Sequence, residues 1–174
     1  MKRTKPENLN QLSLDLCFPG TINPQEYKAV ALRECPTPRD QQDCEEPKLA
    51  VAYWHKHIAT QSQFNPEVEF LFALLLNARH RLKGHSLVAS GTVDTAVYSP
   101  RELFRVAVIG CASAIIMMHN HPSGDPEPSP ADIKHTRTMV EAGQILGIEV
   151  LDHLIIGSGC YSSLRLVKEC GFRF

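Results

Sequence analysis

The sequence predicts an α/β protein of the α+β type, a mixed sheet with helices packed on it. Three observations carry that reading. Short apolar runs of strand length occur at 69–77, "EFLFALLLN", and 113–119, "SAIIMMH". A helix-start signal, Ser-Pro-x-acidic, occurs twice, at 99–102 and at 129–132. The two kinds of segment alternate, giving the order α-β-β-α-β-α-β-β-α.

The elements follow in chain order. Residues 1–46 are polar, carry five prolines from Pro6 to Pro38 and show no sustained period, which predicts a flexible arm with a short helix around Gln25–Arg33. The folded domain is expected over 47–174. In "EEPKLAVAYWHKHIATQ", Pro47 suits a first helical turn, and Leu49, Ala52, Tyr53 and Lys56 fall at helical spacing. The run at 69–77 predicts a strand buried on both faces, and "HSLVASGTV" a second strand that breaks at Gly91. Ser99 as N-cap, Pro100 at N1 and Glu102 at N3 open a helix. The strand at 113–119 comes next, then a helix from Ser129, Pro130 and Asp132 to about Leu146, stopped by Gly147. "IEVLDHLIIG" predicts a strand, and "CYSSLRLVKEC" a short strand and a terminal helix.

Composition narrows the class. The 174 residues suffice for one domain with a core, and 43% hydrophobic with 21% charged residues is ordinary for a globular chain. The formal net charge of −1 gives no basic excess of the kind phosphate contacts require. Among six cysteines there is no C-x-x-C; Cys111 and Cys160, in apolar or element-end contexts, are expected to be buried thiols. No apolar run approaches the roughly 18 residues of a membrane span, and the N-terminus makes a poor signal peptide, so the cytoplasm is the expected location.

The stretch "MMHNHPSGDPEPSPAD" at 117–132 carries the chemistry. His119 and His121 lie two apart at a strand end, so both imidazoles project to one side. Asp132, at a helix start, is held ionised by the positive end of the helix dipole. Two imidazoles and a carboxylate are a three-ligand set for zinc, the arrangement that leaves a position for water and suits catalysis. Ser129 serves as N-cap, or as a donor to a developing oxyanion. His55 and His57 form a second H-x-H, but on a helix i and i+2 point apart, so they read as surface and packing. His153 reads as a satisfied core histidine or as a partner of His119 or Asp132. His80, His85 and His135 read as surface, and Asp125 and Glu127 as solvated loop charges.

The pattern His119-x-His121-x7-Ser129-x2-Asp132 resembles the JAMM motif of the JAB/MPN metalloenzymes. "GTVDTAVYSPRELFRVAV", "HNHPSGDPEPSPADI" and "LGIEVLDHLIIGSGCYSS" resemble the RadC-like branch, over about 66–166. Fuller members carry a helix-hairpin-helix segment; this sequence resembles the short forms that hold the JAB domain alone. The resemblance implies the cytidine-deaminase-like JAB/MPN architecture, one zinc per chain on His119, His121 and Asp132, and hydrolysis of a peptide or isopeptide bond in a protein or peptide substrate. It also implies a general base at the start of the first core strand, which is Glu69. The zinc-protease H-E-x-x-H and the deaminase P-C-x-x-C are absent. The contiguous letters "HNH" do not make an HNH nuclease, whose three residues are spread over a longer unit. The competing readings are a protein-binding JAB module without robust hydrolase activity and a DNA-repair role. Retention of the three ligand positions counts against the first, and the balanced charge against the second.

Overall fold

A computed structural model describes residues 43–44, 46–91 and 99–172. The expected arm up to residue 42 and its helix at Gln25–Arg33 lie outside the described residues. At the near end of that segment, Cys44 is buried in the core and Asp43 pairs with Arg81 at 3.2 Å.

Helix α1 (Pro47–Tyr53) opens with Pro47 at its start and continues into a π-helical turn, Trp54–Ile58, closed by Ala59 N–H donating to the Trp54 carbonyl. The sheet follows the order β2-β1-β3-β4-β5, with β1 Phe70–Leu76, β2 Leu82–Ser90, β3 Ala114–Asn120, β4 Glu149–Ile156 and β5 Tyr161–Ser163. All neighbouring pairs are antiparallel except β3 and β4, which run parallel. A parallel pair needs a crossover, and helix α3 (Pro130–Leu146) supplies it. Helix α2 (Pro100–Ile109) lies between β2 and β3 in the chain, and a 3₁₀ turn at Lys168–Cys170 ends the described fold.

The apolar runs are continuous because the sheet is covered on both faces. Phe70, Phe72, Leu74, Ile116 and Met118 pack against Tyr53, Trp54 and Ile58 on one side. Leu71, Ala73, Ile115 and Met117 pack against Leu103, Phe104, Ala107, Met139 and Val140 of α2 and α3 on the other. Each large apolar side chain so buried contributes about 1.5–3 kcal/mol. Residues 71, 115 and 117 share the α2/α3 face, so the period of two carries Glu69, His119 and His121 to that face as well.

Strand β4 contains an irregularity that matters for the site. Ile115 pairs with Val150, but Ile116 pairs with Asp152, so Leu151 is an extra residue. The bulge inverts the facing of everything after it, and His153, paired with Met117, lands on the α2/α3 face.

Several expectations need correction. Cys111 and Cys160 are exposed, while Cys44 and Cys170 are buried. Cys111 follows the end of α2, where Val108 is itself 58% exposed, and Cys160 lies in the turn between β4 and β5; element ends next to apolar residues are not core. His85 is half-buried rather than on the surface. It pairs with Leu74 across the sheet, and its ring meets the Tyr53 hydroxyl at 2.8 Å and Gln61 Nε2 at 2.5 Å. His80 and His135 are half-buried as well. Strand β2 begins three residues before the expected start because its pairing with β1 extends to Leu76 opposite Leu82. Asp125 and Glu127 are exposed, as expected. No helix among the described residues is long and apolar enough to cross a membrane.

Candidate metal centre

Strand β3 ends at the carboxyl edge of its parallel pair with β4, and His119 and Asn120 are its last residues. His121 N–H donates to the Ile156 carbonyl at 3.0 Å, which prolongs the strand direction by one residue. The two imidazoles therefore lie side by side, with Nε2 atoms 3.0 Å apart. The loop from Pro122 to Pro128 turns back onto the turn after β4. Gly124 has φ +80°, and a Cβ at Gly157 would lie 2.4 Å from the Gly124 carbonyl oxygen. Ser158 N–H donates to that same oxygen at 2.8 Å. His121 Nδ1 is fastened within the loop by the Asp125 carbonyl at 2.8 Å, so its Nε2 faces inward.

Helix α3 delivers the carboxylate. Ser129 is its N-cap: its Oγ accepts from Asp132 N–H at 3.2 Å and donates to Asp132 Oδ2 at 2.6 Å, and Ser129 N–H donates to Oδ2 at 2.8 Å. These contacts hold the carboxylate toward the histidines. Asp132 Oδ1 lies 3.5 Å from His119 Nε2, and Oδ2 lies 3.6 Å from His121 Nε2. His119, His121 and Asp132 thus offer three ligand atoms within 4.8 Å of one another. Of the two readings left open for Ser129, the capping contact is the one formed, and it uses the hydroxyl proton.

Glu69 precedes β1 by one residue. Leu71 pairs with His119, so the same antiparallel register places Glu69 beside His121. Its Oε1 lies 3.8 Å from His119 Nε2. Asn120 positions it. This side chain points to the opposite face from its histidine neighbours, accepts from Phe70 N–H at 3.0 Å and donates to the Val68 carbonyl at 3.0 Å. It grips the backbone on both sides of Glu69, whose own carbonyl accepts from Gly91 N–H at 2.8 Å. Glu102, the other acidic residue ahead of the motif, is engaged instead with Ser99 and with Arg105, 3.4 Å away.

Electrostatics follow from this packing. Burial pushes the His119 imidazole well below its ordinary pKa, reinforced by the neighbouring His153, so the ring is neutral. Burial alone would raise Asp132, but His121, His119 and the Ser129 contacts outweigh it and hold the carboxyl well below the usual carboxylate range. Asp132 in turn raises His121. His153 is fully buried and pushed down to about 4 by that burial.

Both readings of His153 hold, for it is a fully buried histidine with both ring nitrogens partnered, and one partner is His119. Its Nε2 lies 2.8 Å from His119 Nδ1, and its Nδ1 lies 2.6 Å from Thr136 Oγ1. Thr136 and Asn120 were not foreseen. Thr136 could have been found four residues after Asp132, on the same helix face, and Asn120 by noting that the residue between two same-face strand residues points to the other side. His55 is exposed and His57 packs on Tyr53 with ring centroids 4.7 Å apart; neither joins the site. A cavity of about 280 Å³ opens beside His121, with Trp54, Phe64, Pro66, Ile156 and Gly157 among its walls.

Comparison with known proteins agrees with this geometry. The family model for the RadC-like JAB domain matches residues 44–170. A UPF0758 protein of Desulforamulus reducens is 47% identical over 97 residues, which cover 56% of this chain and 43% of that protein. A UPF0758 protein of Desulforudis audaxviator is 49% identical over 98 residues, again 56% and 43% of the two chains. The UPF0758 protein tlr1707 of Thermosynechococcus vestitus is 43% identical over 128 residues, 74% of this chain and 49% of that protein. The matched region thus spans less than half the length of these curated relatives, whose names state no activity. With its fold, its motif and a family match over most of its length, the chain belongs to the RadC-like JAB domain family.

Proposed function

We propose that the chain is a zinc-dependent metallohydrolase of the JAMM type that cleaves an amide bond, in a peptide or isopeptide substrate, with Glu69 as general base. The observation that carries this reading is the convergence of His119, His121 and Asp132 with a second, non-capping carboxylate, Glu69, 3.8 Å from His119.

The donor set fits the ion. A tetrahedral zinc with bonds of about 2.0–2.1 Å separates its ligand atoms by about 3.3 Å. Here the two Nε2 atoms are 3.0 Å apart, and each carboxylate oxygen of Asp132 lies near that spacing from one of them, Oδ1 at 3.5 Å from His119 and Oδ2 at 3.6 Å from His121. His121 Nδ1 donates to a carbonyl, so its Nε2 lone pair is the end directed at the cluster. Lone pairs and carboxylates crowded together in a largely buried pocket call for a cation.

Zinc held there would act as a Lewis acid and bring the pKa of a water toward about 7. The protein's own residues do the rest. Glu69 would take the water's proton and return it to the leaving amine, a role that needs reach before it needs a tuned pKa, and its 3.8 Å approach to His119 Nε2 supports that reading. Asn120 fixes the backbone that carries Glu69. Ser129 aims Asp132, and it would serve a developing oxyanion only if its hydroxyl proton left Oδ2.

The experiment is zinc reconstitution followed by assay against a library of internally quenched peptides and isopeptides. Zinc-dependent cleavage that Glu69→Gln abolishes is the expected result. Cleavage unaffected by Glu69→Gln would contradict the assignment of the base. Steeply salt-dependent DNA binding without any cleavage would favour the nucleic-acid reading instead.

A further inference from the structure

His119 has a second ring nitrogen, and the structure gives it a path of its own. Nδ1 faces His153 Nε2 at 2.8 Å, His153 Nδ1 faces Thr136 Oγ1 at 2.6 Å, and Thr136 Oγ1 donates to the Asp132 backbone carbonyl at 2.6 Å. His119 is 1% exposed, His153 and Thr136 0%. Solvent does not compete for these contacts, and the other group beside Thr136, the Cys170 thiol, is kept protonated by burial and is only a weak acceptor, so the protons can be counted along the line.

A carbonyl only accepts, so the single Thr136 hydroxyl proton lies on the Asp132 carbonyl. Toward His153, Thr136 is then an acceptor, and His153 must carry its proton on Nδ1. A neutral His153 with Nδ1–H has a lone pair on Nε2, which can only accept from His119 Nδ1–H. His119 then has no proton on Nε2, the atom that faces Asp132, His121 and Glu69. We infer that His153 and Thr136 are positioning residues that set His119 in its Nδ1–H tautomer and so turn the Nε2 lone pair toward the site. The line starts on β3, crosses β4 and ends on α3, one helical turn beyond the Asp132 carboxylate. It therefore ties the tautomer of one candidate ligand to the element that carries another. Turning the Thr136 hydroxyl proton onto His153 would reverse every donor in the line and aim an Nε2–H at the site, where it would block a metal. The β4 bulge at Leu151 is what places His153 in the line at all.

The tautomer stands independently of the proposed function; its consequence for zinc rests on that reading. Long-range proton–nitrogen correlation spectra of the ¹⁵N-histidine-labelled, metal-free chain at about pH 8 should show His119 protonated on Nδ1 and bare on Nε2. An Nε2–H signal for His119 would overturn the inference, whatever the protein does with zinc. Thr136→Val keeps the shape but leaves His153 Nδ1–H without an acceptor, so zinc affinity by chelator competition should fall about 10- to 100-fold, the usual cost of losing an outer partner of a ligand. Thr136→Ser should restore it. Thr138→Val is the control, because Thr138 Oγ1 makes the same contact four residues back, to the Lys134 carbonyl at 3.1 Å, but in solvent. Thr136→Val with wild-type affinity and an unchanged His119 spectrum would refute the relay. If zinc fails to bind the wild-type chain while the tautomer is as stated, the functional reading fails and the relay survives.

Discussion

Helices α2 and α3 begin with the same signal, Ser-Pro-x-acidic, and form the same capping box, yet only one start belongs to the candidate site. Ser99 N–H donates to Glu102 Oε2 at 3.0 Å, and Ser129 N–H donates to Asp132 Oδ2 at 2.8 Å. The difference lies in what the remaining carboxylate oxygen meets. For Glu102 it is Arg105, at 3.4 Å and 59% exposed; for Asp132 it is His119, at 3.5 Å and 1% exposed. Capping fixes a carboxylate in space without using it up, and the neighbourhood decides whether it serves the helix alone. Placing α3 directly after the loop from the histidine-bearing strand end makes Asp132 a ligand candidate, while α2 starts at the surface.

The two helix starts should differ most in what they do to metal content. Asp132→Ala should reduce bound zinc in the reconstituted chain to near zero while far-UV circular dichroism stays helical, because Ser129 and Pro130 still start α3. The matching change Glu102→Ala should leave zinc content untouched. Equal loss in both variants would show that capping, not ligation, explains the first.

Next comes the separation of the two glutamates. Glu69→Gln should keep zinc and fold but lower amide hydrolysis by about two to four orders of magnitude, the scale of general-base removal. Glu102→Gln should keep its turnover. A variant in which Glu102→Gln is the inactive one would reverse the roles assigned to them.

Asn120→Ala should come third. It leaves Phe70 N–H and the Val68 carbonyl without their partner, at a cost of about 1–3 kcal/mol for buried polar groups, and loosens the segment carrying Glu69. Thermal melts and turnover should both fall, with zinc content retained.

The smallest effect is pH-dependent. The hydrogen bond from Ser99 lowers the pKa of Glu102, with Arg105 adding to it, so its contribution to folding is present above the unfolded value of 4.5 and is lost as pH falls through the lower folded value. The melting temperature of Glu102→Gln should lie a few degrees or less below wild type at pH 7 and converge with it as the pH falls below 4.5 and through the lower folded value. A gap that widens on acidification would contradict the sign.

Much of this was legible in the sequence because it is local physics. The two capping boxes, the positive φ at Gly147 that ends α3, and the apolar runs of β1 and β3 each depend on residues within a turn or a strand. The grouping of His119, His121 and Asp132 followed from period two on a strand and from a helix start. What was not legible depends on register. Nothing in "IEVLDHLIIG" announces that Leu151 is a bulge, and without it Asp152 rather than His153 would face the site. Placing Thr136 and His85 required knowing which elements pack together, since both are held by partners 17 to 32 residues away. Cys111 and Cys160 are exposed because neither an apolar run beside a residue in sequence nor an element end puts it in the core.

The decisive property of the site is whether the three side chains hold a metal together. Metal analysis of the chain after zinc reconstitution and gel filtration should find about one zinc per wild-type chain and nearly none in His121→Ala, with Glu69→Gln indistinguishable from wild type. A wild-type chain that takes up no zinc, or a His121→Ala chain that still carries about one, would contradict it.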